Sequence, residues 1–101
     1  MKRARGDDMK KYETMVILNP ALDDEAMSRL GERIKELISK TGEVVSVDEW
    51  GRREMAYEIK GNKEGFYLVI QFTAPPEVPG DLYHEFRMNP DILRGIVVRE
   101  D

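Results

Sequence analysis

The chain has no cysteine and only one histidine in 101 residues. Without cysteine there is no disulfide, no thiolate metal site and no cysteine nucleophile, which fits a reducing cytoplasm. The one histidine, His84, stands between Tyr83 and Glu85 and reads as a surface residue of a helix rather than a general base. No apolar run approaches the roughly 20 residues that span a bilayer. The N-terminal basic residues are followed by no apolar stretch before Met15 to Leu18, so a signal peptide is not expected. A glycine-rich phosphate loop is also missing, since the connection after the first strand is NPALDD. The acidic pairs have ordinary explanations, Asp23-Asp24 as a helix start and Asp48-Glu49 as a solvated strand end. No catalytic constellation, metal site or cofactor site is expected.

What is present is enough for one domain. The hydrophobic share is 41%, which allows one core, and the charged share is 36%, which makes a very polar surface. The formal net charge is -4, unevenly spread. Residues 1–11 hold five basic and two acidic groups, a net +3, which leaves 11 basic and 18 acidic groups in residues 12–101, a net -7. Residues 1–8 read as a disordered extension, with Gly6 and two aspartates interrupting the basic run. Residues 9–101 read as the folded domain.

Periodicity divides that domain into six elements. YETMVIL, Tyr12 to Leu18, is a strand stopped by Asn19-Pro20. Asp23 or Asp24 caps a helix whose apolar face is Met27, Leu30, Ile34, Leu37, Ile38 and Thr41, and Gly42 closes it. Glu43 to Ile59 is extended, with Val45, Val47, Met55, Tyr57 and Ile59 on one parity and Gly51 marking a bend or bulge. KGNKEG, Lys60 to Gly65, is a turn by composition. The next strand puts Phe66, Leu68, Ile70 and Phe72 on one face and Tyr67, Val69 and Gln71 on the other. APPEVPG, Ala74 to Gly80, leads into a second helix with the stripe Leu82, Tyr83 and Phe86, and Ile92 to Arg99 is the last strand. The order β-α-β-β-α-β predicts an α+β, ferredoxin-like fold, a four-stranded antiparallel sheet with two helices on one face. The other face and the strand edges are then free for partners.

EWGRREMAYEIK, residues 49 to 60, sets two arginines side by side in a strand of an acidic chain. Alternation sends Arg52 and Arg53 to opposite faces. Asp48, Glu49 and Glu54 are near enough in sequence to neutralise both across the hairpin. The segment GFYLVIQF departs from the third-strand signature of RNA-recognition motifs, with Glu64 at the basic position and the spacing one residue too long, so Phe66 and Phe72 read as core.

Taken together, KKYETMVILNP, EWGRREMAYEIK, EGFYLVIQF and ILRGIVVRED, in this order and at these separations, resemble the bacterial small-subunit ribosomal protein six family over residues 9–101. The middle block carries the family's Gly-x-Arg-x-x-Ala-Tyr-x-Ile pattern as Gly51, Arg53, Ala56, Tyr57 and Ile59. The resemblance implies a structural, non-enzymatic part of the cytoplasmic ribosome. It further implies binding to the central domain of small-subunit rRNA as a pair with small-subunit ribosomal protein eighteen. Arg53 matches the family's arginine and Arg94 its Leu-Arg pair, so both are expected at the assembly surface. Lys10, Lys11, Arg87 and Arg99 are the other expected rRNA or partner contacts. No small-molecule substrate, membrane or cofactor is implied. The alternative is a ligand-binding regulatory domain of the same fold. An acylphosphatase comes third, because the chain shares only length and element order with those enzymes and lacks their arginine-bearing, glycine-rich loop.

Overall fold

The computed structural model describes residues 9–100, and the extension expected at residues 1–8 lies outside the described residues. The elements run β1 (Lys10–Leu18), α1 (Asp24–Ser39), β2 (Glu43–Ile59), β3 (Asn62–Ala74), α2 (Val78–Met88) and β4 (Ile92–Arg99). They form one four-stranded sheet in the order β2-β3-β1-β4, antiparallel throughout, as the element order predicts.

The register shows which side chains share a face. Tyr12, Thr14, Val16 and Leu18 of β1 stand opposite Phe72, Ile70, Leu68 and Phe66 of β3. These residues meet Leu30, Ile34 and Ile38 of α1 and Val78, Leu82 and Phe86 of α2 in the core. Fully burying one such side chain contributes about 1.5–3 kcal/mol. Thr14 is the one buried polar residue of this layer, and its hydroxyl donates to the Ile96 carbonyl at 2.8 Å. That bond removes the cost of an unpaired buried hydroxyl.

Local chemistry explains the element ends. Asp23 caps α1, its carboxylate accepting from the Ala26 N–H at 2.8 Å. Gly42 is not in the left-handed conformation expected of a helix-closing glycine. It is needed for space, because a β-carbon there would strike the Thr73 carbonyl oxygen and lie 2.8 Å from that of Ala74. The second helix begins earlier than its sequence suggests and takes Pro79 and Gly80 into its first turn. Proline fits there because that N–H has no helical partner anyway. The expected turn at Lys60 to Gly65 shrinks to Lys60-Gly61, with φ of 51° and 79°, and β3 already starts at Asn62. Two successive positive φ values make the tight hairpin turn that matches strand twist.

β2 corrects the single-parity reading of Val45, Val47 and Met55. Its pairing with β3 shifts between Val44 and Ser46 and again between Glu49 and Gly51. Val47 therefore opposes Ile70 on the helix side, while Arg53 opposes Gly65 on the other. The bulges also bend the strand. Seventeen residues at about 3.3 Å each would run roughly 53 Å when straight, longer than the 44 Å maximum extent of the described chain.

Gly95 lies where Phe86 crosses the sheet, and a β-carbon there would sit 2.6 Å from the Phe86 Cε2. Gly95→Ala is expected to cost about 1–3 kcal/mol through overpacking. Gly80→Ala, which meets nothing within 4 Å, is expected to be neutral or stabilising by up to about 1 kcal/mol. Urea unfolding midpoints at unchanged m-value measure both.

Candidate functional site

The face of the sheet that the helices leave open holds the interacting side chains. Lys11, Glu13, Met15 and Ile17 of β1 lie there, opposite Thr73, Gln71, Val69 and Tyr67 of β3 on one side. On the other side Glu13, Met15 and Ile17 oppose Val98, Ile96 and Arg94 of β4. Ile17 and Val69 are buried although no helix covers them, so this face packs partly against itself. Ile96 and Val98 stay exposed beside them.

At the bulge, Gly51 takes φ 82°, and the extra residue Trp50 swings onto this face. Its ring stacks on Tyr67 with centroids 6.2 Å apart and planes 12° from parallel. The indole N–H donates to Asp48 Oδ2 at 3.1 Å, which fixes the ring's direction. The Arg53 guanidinium sits 5.4 Å from the Trp50 ring centroid. Such a cation–π contact is worth about 0.5–1 kcal/mol at an exposed site.

The two neighbouring arginines have different roles. Arg52 opposes Phe66 on the helix side and donates to the Pro20 carbonyl at 2.9 Å, tying β2 to the β1–α1 connection. Arg53 stays on the open face. The expected neutralisation by Asp48, Glu49 and Glu54 does not occur: the ion pairs among the described residues are Arg33–Glu85 and Lys35–Glu32. Asp48 is engaged by Trp50, and Glu54 stands opposite Glu64.

β2 and β3 continue beyond β1, whose pairing ends at Leu18 opposite Phe66. This arm reaches the start of β4. Arg94 Nη1 donates to the Tyr57 hydroxyl at 2.7 Å, and Lys60 Nζ to the Ile92 carbonyl at 3.4 Å.

The six expected contact residues are thus divided. Lys11, Arg53 and Arg94 share the open face. Lys10, opposite Ala74, and Arg99, opposite Tyr12, occupy helix-side register positions. Arg87 is exposed in the last turn of α2. Sequence reasoning missed Trp50 and Tyr67 as a stacked pair, and the Trp-Gly dipeptide beside a possible bulge was the available signal. It also missed Tyr83, assigned to the apolar stripe. Its hydroxyl accepts from the Val97 N–H at 2.8 Å and so occupies part of the β4 edge. His84 is exposed, as read. A cleft of about 300 Å³ between α1 and β2 is lined by Met27, Gly31, Val47, Glu49, Phe66 and Leu68.

The fold and site define a small one-sided α+β sheet protein with stacked aromatics and guanidinium groups on its open face. Comparison with known proteins then gives the family. The family model for Ribosomal protein S6 matches residues 11–99. Small ribosomal subunit protein bS6 of Clostridium novyi (strain NT) is 47% identical over 94 residues, covering 92% of this chain and 99% of that protein. Its counterpart in Clostridium beijerinckii is 45% identical over 93 residues, covering 91% and 98%. The crystal structure of 30S ribosomal protein S6 from Thermotoga maritima superposes with a TM-score of 0.86 at 34% identity, covering 91% of this chain and 88% of that one. The chain belongs to the ribosomal protein S6 family. It is a structural, non-enzymatic component of the small subunit of the cytoplasmic bacterial ribosome.

Gly51→Ala tests how the stack is built. Nothing lies within 4 Å of the added β-carbon, so only the backbone resists. The strain is expected to cost about 1–3 kcal/mol and to move Trp50 off Tyr67. Because Trp50 is the single tryptophan, its fluorescence emission reports the displacement directly.

Proposed function

We propose that this protein binds the central domain of small-subunit rRNA as a pair with small-subunit ribosomal protein eighteen, using the open sheet face and the outer edge of β2. One observation carries the reading: Arg53, Trp50 and Tyr67 form an ordered stack on a face that no helix covers. Tryptophan, tyrosine and arginine are the residues that concentrate binding energy at interfaces. Both phosphate and carboxylate fit the flat fork of arginine.

Charge supports a pair over a lone RNA binder. A chain of net charge -4 has little to gain from releasing RNA counterions by itself. A basic partner supplies the missing positive field and is attracted by the acidic surface. Glu54 and Glu64 face each other on the arm and repel unless such a partner separates them. The β2 edge is also the more open of the two. Val45 bulges from it at 62% exposure, and no side chain among the described residues covers it as Tyr83 covers β4. Exposed edges of this kind accept an added strand or loop. Lys10, Lys11, Arg87, Arg94 and Arg99 are the further rRNA or partner contacts in this reading.

A titration of a central-domain rRNA fragment, with and without protein eighteen at two salt concentrations, tests it. Weak binding alone and tight, salt-sensitive binding by the pair are expected. Arg53→Ala is expected to weaken the pair's binding by about 1–3 kcal/mol, roughly five- to 150-fold, with folding stability changed by no more than about 1 kcal/mol. Tight binding by the chain alone, or none by the pair, overturns the reading.

A further inference from the structure

We infer that Tyr57 and Arg94 together form a two-residue grip for one backbone phosphate of the bound RNA, with Tyr57 as a binding residue in its own right. This rests on the reading that the open face meets rRNA.

Core packing does not require a tyrosine at position 57. Its side chain belongs to no part of the core, and the residue is 61% exposed at the far end of the arm. Its hydroxyl accepts from Arg94 Nη1 at 2.7 Å across 37 residues of sequence. That is shorter than the usual 2.9–3.0 Å of an N–H···O bond. A phenol that accepts through its oxygen still holds its own proton. No acceptor for that proton is present among the described residues. The guanidinium likewise keeps four of its five N–H donors. The pair therefore presents a phenolic O–H beside a guanidinium fork, donors only, both facing outward.

A phosphodiester has acceptors only, so this arrangement complements it. The bond to Tyr57 also fixes a long exposed side chain before the ligand arrives, which removes part of the ordering cost of binding. The arm itself is held in place, since Lys60 Nζ lies 3.4 Å from the Ile92 carbonyl, two residues before Arg94. Lys60 adds a cation next to the grip. A partner carboxylate fits the fork too, and Glu54, Glu58 and Glu64 on the same arm offset Lys60 and Lys63, so titration with RNA and with protein eighteen separates the two occupants.

The test compares Tyr57→Phe, Arg94→Ala and the double variant in the full chain. Each is titrated with the central-domain rRNA fragment in saturating protein eighteen, and separately with protein eighteen alone. Tyr57→Phe is expected to weaken RNA binding about tenfold, with an unchanged urea midpoint and unchanged affinity for protein eighteen. Arg94→Ala is expected to lose more. The double variant is expected to lose less than the sum of the two, because the residues act on one phosphate. If Tyr57→Phe binds RNA like the wild type while Arg94→Ala is weak, the grip is wrong and the rRNA reading stands. Weaker binding of Tyr57→Phe to protein eighteen alone also overturns it, and assigns the fork to a partner carboxylate. Failure of the wild-type pair to bind RNA removes the underlying reading itself.

Discussion

Two helices packed on one side of a four-stranded sheet impose everything else in this molecule. Ile34 and Ile38 of α1 and Leu82 and Phe86 of α2 bury against Tyr12, Val16, Leu68, Ile70 and Phe72. Close packing on that side is strict enough that Gly95 leaves no room for a methyl group beneath Phe86. Among the described residues no third layer covers the opposite face. Among the apolar residues there, Ile17 and Val69 are nonetheless buried. A sheet solved in this way keeps a partly apolar, partly charged surface facing outward, which suits a protein whose place is inside a larger assembly.

The bulge at Trp50-Gly51 adapts that surface to its task. One extra residue in β2 reverses the in–out alternation and bends the strand. As a result Trp50 reaches Tyr67, Arg53 reaches Trp50, and Arg52 turns back to the Pro20 carbonyl. The same twin arginines thus divide into one that ties β2 to the β1–α1 connection and one that stays on the open face. The long hairpin completes the face by crossing to β4, where Tyr57 meets Arg94.

The two sheet edges are treated differently. Tyr83 takes up the Val97 N–H on β4, blunting an edge that otherwise invites pairing with other chains. β2 has no such cover among the described residues and carries charge instead, with Asp48, Glu49, Arg52, Arg53 and Glu54 around Trp50-Gly51. Charge keeps an open edge soluble until a complementary partner arrives. An acidic chain in a ribosome is reasonable on these terms, because its affinity for RNA need not come from its own net charge.

The sequence by itself determined the element order, the ferredoxin-like topology, the facing of β3 and the family. Each rests on short-range chemistry: period-two alternation from Phe66 to Phe72, the Asp23 cap, and a motif around Gly51 to Ile59. It also placed Arg52 and Arg53 on opposite faces. What it did not reveal depends on register and on contacts between distant residues. Alternation counted through β2 misplaced Met55 relative to Val47, because a bulge changes parity without changing composition. Gly42 looked like a helix-closing glycine until the approach of Thr73 and Ala74 showed that space, not backbone angle, requires it. Lys10, Lys11, Arg53, Arg87, Arg94 and Arg99 formed one set in sequence. Only the tertiary structure divided them, because the face a strand residue occupies is decided by the partner it pairs with. The Tyr57–Arg94 bond joins opposite edges of the sheet, and no local pattern encodes a contact that exists only once the arm has folded across.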